Sequence, residues 1–147
     1  MQSLELHGFF LHSEDLPELC RSLSKCTSIE QLFLSNNNLQ DYGVSYLAKV
    51  LSRHSTFKLR QLTLYNNNIG DFGAQCLSDA LLGSPHLETL NLQMNFVKDL
   101  GVSYFVDALR RSNFTAYPSL RKIVMSGNQC TERMKRFIKN QTPIIII

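Results

Sequence analysis

The chain has 147 residues, 44% of them hydrophobic and 18% charged, with a net charge of +3. That length suits one domain, and the apolar fraction supplies a buried core and excludes wholesale disorder. Residues 1–119 hold 9 basic and 11 acidic side chains and residues 120–147 hold 6 and 1, so the basic end is modest and forms no nucleic-acid stripe.

Along the chain, Met1, Leu4, Leu6, Phe9 and Leu11 come first, followed by Leu19 and Leu23, with Asp15 and Pro17 between them. From residue 29 the same spacing is more complete: Ile29, Leu32, Leu34, Asn37, Leu39, Gly43, Leu47 and Leu51. It returns 30 residues on as Leu59, Leu62, Leu64, Asn67, Ile69, Gly73, Leu77 and Leu81, and 28 further on as Leu87, Leu90, Leu92, Asn95, Val97, Gly101, Phe105 and Leu109. A last copy, 33 further, holds Leu120, Ile123, Met125, Asn128 and Cys130, with Ile138 at the later helical slot. Five units starting near 1, 29, 59, 87 and 120 thus share LxxLxLxxNxLxxxGxxxLxxxL. Such a period makes each unit one supersecondary element that buries its apolar face on its neighbours.

Within a unit, LxxLxL predicts a short strand with alternate residues inward, and the asparagine marks a sharp turn inside the stack. A buried turn must pair its backbone donors and acceptors, and a side-chain amide can do both. Asn37, Asn67, Asn95 and Asn128 are therefore expected to form a structural ladder. Asn66 and Asn68 lack this recurrence and read as solvent-facing turn residues, so the repeat predicts a near-neutral Asn66→Ala beside a costly Asn67→Ala. After the turn, Asp41, Asp71 and Asp99 suit the N-cap of a helix. Val44, Leu47, Val50 and Leu51, with their counterparts in the next two units, give that helix one apolar stripe. The glycines let each helix start approach neighbouring backbone closely.

The stretch LRQLTLYNNNIGDFGAQCLSDAL resembles the leucine-rich repeat family, in its ribonuclease-inhibitor-like branch. The resemblance covers Met1 to about Ile138. It implies an α/β right-handed solenoid, a horseshoe arc of about five repeats with a parallel sheet on the concave face and helices on the convex face. A capping helix is expected over about 131–140. The first unit departs from the pattern with Phe9 for asparagine and Asp15 for glycine, and the fifth has Met134 for glycine. With Met1 already at the first leucine position, no cap precedes the first unit. The chain therefore reads as part of a longer array, or as one whose N-terminal end docks on a partner or self-associates.

In such a solenoid the outward strand residues form the usual binding face. Its rows are Gln31, Gln61, Thr89, Lys122, then Phe33, Thr63, Asn91, Val124, then Ser35, Tyr65, Gln93, Ser126. Phe33, Ser35, Gln61, Thr63, Tyr65, Asn91, Gln93 and Lys122 are the candidate partner-binding residues, with Phe33 and Tyr65 as aromatic anchors or as supports of the sheet. Glu30, Arg60, Glu88 and Arg121 share a further slot with alternating sign and are expected to pair along the stack. Arg133, Lys135, Arg136 and Lys139 form a basic cluster, either a site for an acidic partner or lipid or the solvated face of the last helix.

Catalysis finds no support in the sequence. His7, His12, His54 and His86 are dispersed, and no P-loop, HExxH or nucleophile signature occurs. Cys20, Cys26, Cys76 and Cys130 form no CxxC pair and read as reduced thiols rather than metal ligands or a disulfide framework. No cofactor is expected. No apolar run is long enough for a signal or a membrane span, the Ile144–Ile147 run included. A cytoplasmic or nuclear setting is therefore expected, and the sequons at Asn113 and Asn140 would matter only in a secreted protein. The expected role is a non-catalytic protein–protein interaction module, scaffold or adaptor, with another protein as partner and no nucleic acid. Two further roles follow from the resemblance. One is the ligand-sensing or autoinhibitory end of a larger receptor, as in nucleotide-binding innate immune receptors. The other is a cytoskeletal, actin-capping-like domain as in tropomodulin. A GTPase-regulating role would need an arginine on the loops beyond the strands, and residues 36–40, 66–70 and 94–98 hold only Lys98 as a base.

Overall fold

A computed structural model describes residues 2–53, 58–111 and 119–147. Met1, His54 and the sequon asparagine Asn113 lie outside the described residues. Six strands, β1 (Gln2–Glu5), β2 (Ile29–Phe33), β3 (Gln61–Thr63), β4 (Thr89–Asn91), β5 (Lys122–Val124) and β6 (Ile145–Ile146), form one parallel sheet in chain order. Between them run α1 (Leu16–Leu23), α2 (Gln40–Arg53), α3 (Asp71–Ala80), α4 (Asp99–Arg111) and α5 (Glu132–Gln141). This is the α/β solenoid that the resemblance implies, with each unit a strand, a turn and a helix.

The apolar positions of the template fill the space between sheet and helices. Leu32, Leu62, Leu90 and Ile123 stand in register on adjacent strands, and all four are fully buried. Leu34, Leu64, Leu92 and Met125 extend the layer, and Leu47, Leu77 and Phe105 close it from the helices. Burying a side chain of this size contributes about 1.5–3 kcal/mol, so the repeated positions dominate stability.

The turn asparagines join consecutive units. Asn95 Nδ2 donates to Leu64 O at 2.9 Å in the preceding unit and to Leu92 O at 3.0 Å in its own, while Oδ1 accepts from Asn67 N and Ile69 N. Asn128 repeats this with Leu92 O, Met125 O and Val97 N, and Asn37 with Leu6 O, Leu34 O and Leu11 N. Asn67 Nδ2 reaches Leu34 O and Tyr65 O, but its Oδ1 is buried without a hydrogen bond. The break coincides with Gln40, whose φ of 55° departs from the extended Gly70 at the same position of the next unit and whose N donates to the Asn67 backbone oxygen.

The residue before the template asparagine position, held by Phe9 in the first unit, is left-handed in every unit: Gly8 (φ 64°), Asn36 (56°), Asn66 (52°), Met94 (56°) and Gly127 (78°). Glycine and asparagine tolerate this conformation and most other residues do not. Asn66 is therefore not the neutral surface residue that the repeat alone suggests. It is exposed, but its backbone demands a tolerant side chain, and its Nδ2 donates to Asn36 Oδ1. Asn68 Nδ2 donates to Asn38 Oδ1 in the same way, giving an outer amide ladder beside the buried one.

The aspartates differ from expectation too. Each caps the helix of the following unit rather than its own. Asp41 Oδ1 accepts from Gly70 N, Asp71 Oδ1 from Lys98 N and Gly101 N, and Asp99 from Thr131 N and Oγ1. The free amides at a helix start attract a carboxylate wherever it comes from. This bears on the glycines: a Cβ on Gly73 would sit 2.7 Å from both Asp41 Oδ1 and Ile69 Cγ2, and one on Gly101 2.5 Å from both Asp71 Oδ1 and Val97 Cγ1. At the C-terminal end, the Ile144–Ile147 run supplies β6, paired with β5 through Ile123 and Ile145.

Three stability results are expected from denaturant unfolding. Asn95→Ala should cost more than Asn67→Ala, within about 1–3 kcal/mol each, because only Asn95 has its oxygen paired. Asn66→Ala should cost about 1 kcal/mol for its left-handed backbone, whereas Met94→Asn should stabilise by about 0.5–1 kcal/mol for the same reason. Gly101→Ala should cost about 1–3 kcal/mol, and only part of that loss should vanish in an Asp71→Ala background, because the added Cβ meets Val97 Cγ1 as closely as it meets that carboxylate.

Candidate interaction surface

Each strand ends at its turn after three to five residues, so two or three outward positions per unit reach the open face of the sheet. The outward residues align across strands in register: Gln31, Gln61, Thr89 and Lys122 in one row, Phe33, Thr63, Asn91 and Val124 in the next. Gln31 Nε2 donates to Gln61 Oε1 at 3.0 Å, and Asn91 Nδ2 to Gln93 Oε1 at 3.1 Å. The face is thus lined by amides already aligned by their neighbours.

Of the eight candidate residues, Lys122 is exposed and Phe33, Gln61, Tyr65, Asn91 and Gln93 are half-buried. Ser35 and Thr63 are buried at 7% and 9% exposure. Thr63 stands between Phe33 and Asn91 in its row, and a short side chain between longer ones is covered by them. These two are therefore spacers beneath the face. Phe33 is not isolated: the His7 ring lies 5.5 Å away and tilted by 45°, which extends the aromatic patch into the first unit.

The charged row below is anchored on Arg60. Its Nε donates to Glu88 Oε1 at 2.9 Å, and Nη1 lies 3.9 Å from Glu30 Oε2. Both partners are about a third exposed, so solvent screening keeps the pairs weak. Arg121 makes no ion pair among the described residues. In the basic cluster, Lys135 Nζ pairs with Glu132 at 2.7 Å, and the Arg110 guanidinium covers the Phe137 ring at 5.4 Å.

The chemistry for covalent work is weak. Burial pushes the Cys20 thiol up to about 11, and burial with the nearby Asp99 carboxylate does the same for Cys130. A thiol of that kind is a poor nucleophile at neutral pH. No helix among the described residues is long and apolar enough to cross a membrane.

Sequence reasoning missed a second surface. Tyr42, Phe72 and Leu100 occupy the position before the template glycine in consecutive units, and each is more than half exposed. The signal was present as an apolar residue recurring off the helix stripe.

The family model described as Leucine Rich repeat matches residues 25–48, 57–78 and 83–106. The mouse (Mus musculus) ribonuclease inhibitor is 27% identical over all 147 residues, which cover 32% of that protein. Human (Homo sapiens) NACHT, LRR and PYD domains-containing protein 14 is 34% identical over 113 residues, 77% of this chain and 10% of that one. The chain thus spans about a third of the first relative and a tenth of the second. A solved structure titled Leiomodin-1 Actin-Binding Site 2 superposes with a TM-score of 0.67 over 87% of this chain and 70% of that one, at 15% identity, a likeness of fold. By its repeats, its fold and its relatives, the chain belongs to the leucine-rich repeat family, in the ribonuclease-inhibitor-like branch.

Proposed function

We propose that this chain is a non-catalytic recognition module whose concave sheet face binds another protein, as a scaffold or adaptor. The observation that carries the reading is the set of half-buried amides and aromatics on one face: Gln31, Phe33, Gln61 and Asn91 in the registered rows of β2 to β4, with Tyr65 and Gln93 two residues beyond the ends of β3 and β4. Their hydrogen-bonding groups are held in place before a partner arrives, which lowers the entropic cost of binding. Phe33 with His7 and Tyr65 supply the flat apolar contacts on which interfaces depend most. Leucine-rich repeats in general mediate protein–protein interaction, and the match to a ribonuclease inhibitor over the whole chain favours a protein ligand.

The chain works within a longer array, consistent with its covering 32% of that inhibitor. A second reading has its own support: 34% identity to a NACHT, LRR and PYD protein fits the ligand-sensing or autoinhibitory repeats of a larger receptor. Four thiols that are not paired in disulfides fit a reducing cytoplasmic or nuclear setting.

For a partner recovered with the wild-type chain, Phe33→Ala with Tyr65→Ala should weaken binding at least tenfold in a titration, with the far-UV spectrum unchanged. Neutralising Arg133, Lys135, Arg136 and Lys139 should leave it intact. The opposite pattern would move the site to α5.

A further inference from the structure

The largest exposed apolar side chains of the first four units lie off the concave face, along one rim, where strands turn into helices. Phe10 is 85% exposed, Phe9 64%, Tyr42 59%, Phe72 56%, Leu100 56%, Met94 52% and Phe96 50%. Single exposed apolar residues are ordinary on a protein surface. Here Tyr42, Phe72 and Leu100 repeat at one position in three successive units, at the first turns of α2, α3 and α4. Tyr42 and Phe72 line a groove of about 470 Å³ between α2 and α3, together with Ala48, Cys76 and Ala80 and one charge of each sign, Lys49 and Asp79.

The rim also has its own charge. Segments 8–15, 36–43, 66–73, 94–101 and 127–134 hold six acidic and two basic side chains, a net −4 in a chain of +3. Asp41, Asp71 and Asp99 recur one residue before each apolar knob. An anionic membrane would be repelled by this edge.

We propose that the rim docks an amphipathic helix of a partner protein, apolar on one stripe and flanked by lysine and arginine. Packed helices stand about 8–10 Å apart, so the knobs repeat at about that distance from unit to unit. A helix rises about 1.5 Å per residue, so residues seven apart are about 10.5 Å apart on one face. A partner helix crossing the units therefore meets Tyr42, Phe72 and Leu100 with side chains spaced by one heptad, while its basic flanks face the aspartates. This is the helix-in-groove mode of recognition, at a surface separate from the concave face.

The test uses three fluorescently labelled 21-residue helical peptides with one heptad stripe of leucine and phenylalanine and flanks of lysine/arginine, glutamine or glutamate. Anisotropy titrations should show the basic peptide binding at least tenfold tighter than the glutamine one, and the glutamate one weakest. Tyr42→Ser, Phe72→Ser and Leu100→Ser together should lower the basic peptide's affinity at least tenfold, with the single Phe72→Ser as the reserve if the triple variant does not fold. Phe33→Ala with Tyr65→Ala should leave it unchanged, which separates this site from the concave one. Equal binding of the three peptides, no binding of the basic one, or binding insensitive to the rim substitutions would overturn the proposal.

Discussion

Side-chain hydrogen bonds that cross from one unit to the next hold this molecule together as a stack. Strands β1 to β5 are three to five residues long, too short for their ladders alone to fix the turns that follow. The inner side of each turn faces the stack, so the amides and carbonyls there must find partners without water. Asn37, Asn95 and Asn128 supply them from the adjacent unit, donating to the preceding strand end and accepting from the preceding turn. The apolar layer supplies the bulk of the free energy, and the amides decide where each unit stops and turns.

The helix starts are tied by the same principle with a different group. A carboxylate of one unit sits on the free amides of the next helix, and a glycine in that helix makes room for it. Asp-x-Gly is therefore an inter-unit device, each residue serving a different neighbour. It also accounts for the fifth unit, where Met134 replaces the glycine. There Asp99 bonds to Thr131, which caps α5 through Met134 N, and no carboxylate has to approach the helix more closely.

Much of this was legible in the sequence, because a period repeated several times fixes strand, turn and helix together. The apolar positions and the four asparagines could be read from spacing alone. Spacing within a unit does not say which unit a side chain reaches, and so the aspartates were assigned to their own helices. The left-handed position was hidden by its variety, Gly8, Asn36, Asn66, Met94 and Gly127, though glycine and asparagine dominate it. Strand β6 lies outside the repeat, and only its β-branched run hinted at it. On the concave face, pattern identified the outward slots but not their depth: Ser35 and Thr63 are covered by longer neighbours.

The two surfaces follow from this frame. A stack locked by amides and carboxylates holds its outward residues at fixed spacing, which prepares the concave rows and the rim to meet extended partners. The central claim, that side-chain oxygens of one unit secure the turns of its neighbour, is tested most directly by native-state hydrogen exchange. The amides of Leu11, Ile69 and Val97, held by asparagine oxygens, and of Gly101, held by Asp71, should exchange as slowly as the buried amides of Leu34 and Leu64, which bond Thr63 O and Asn91 O just beyond β2 and β3. Exchange of these four at the rate of exposed loop amides, with the strands still protected, would contradict the account.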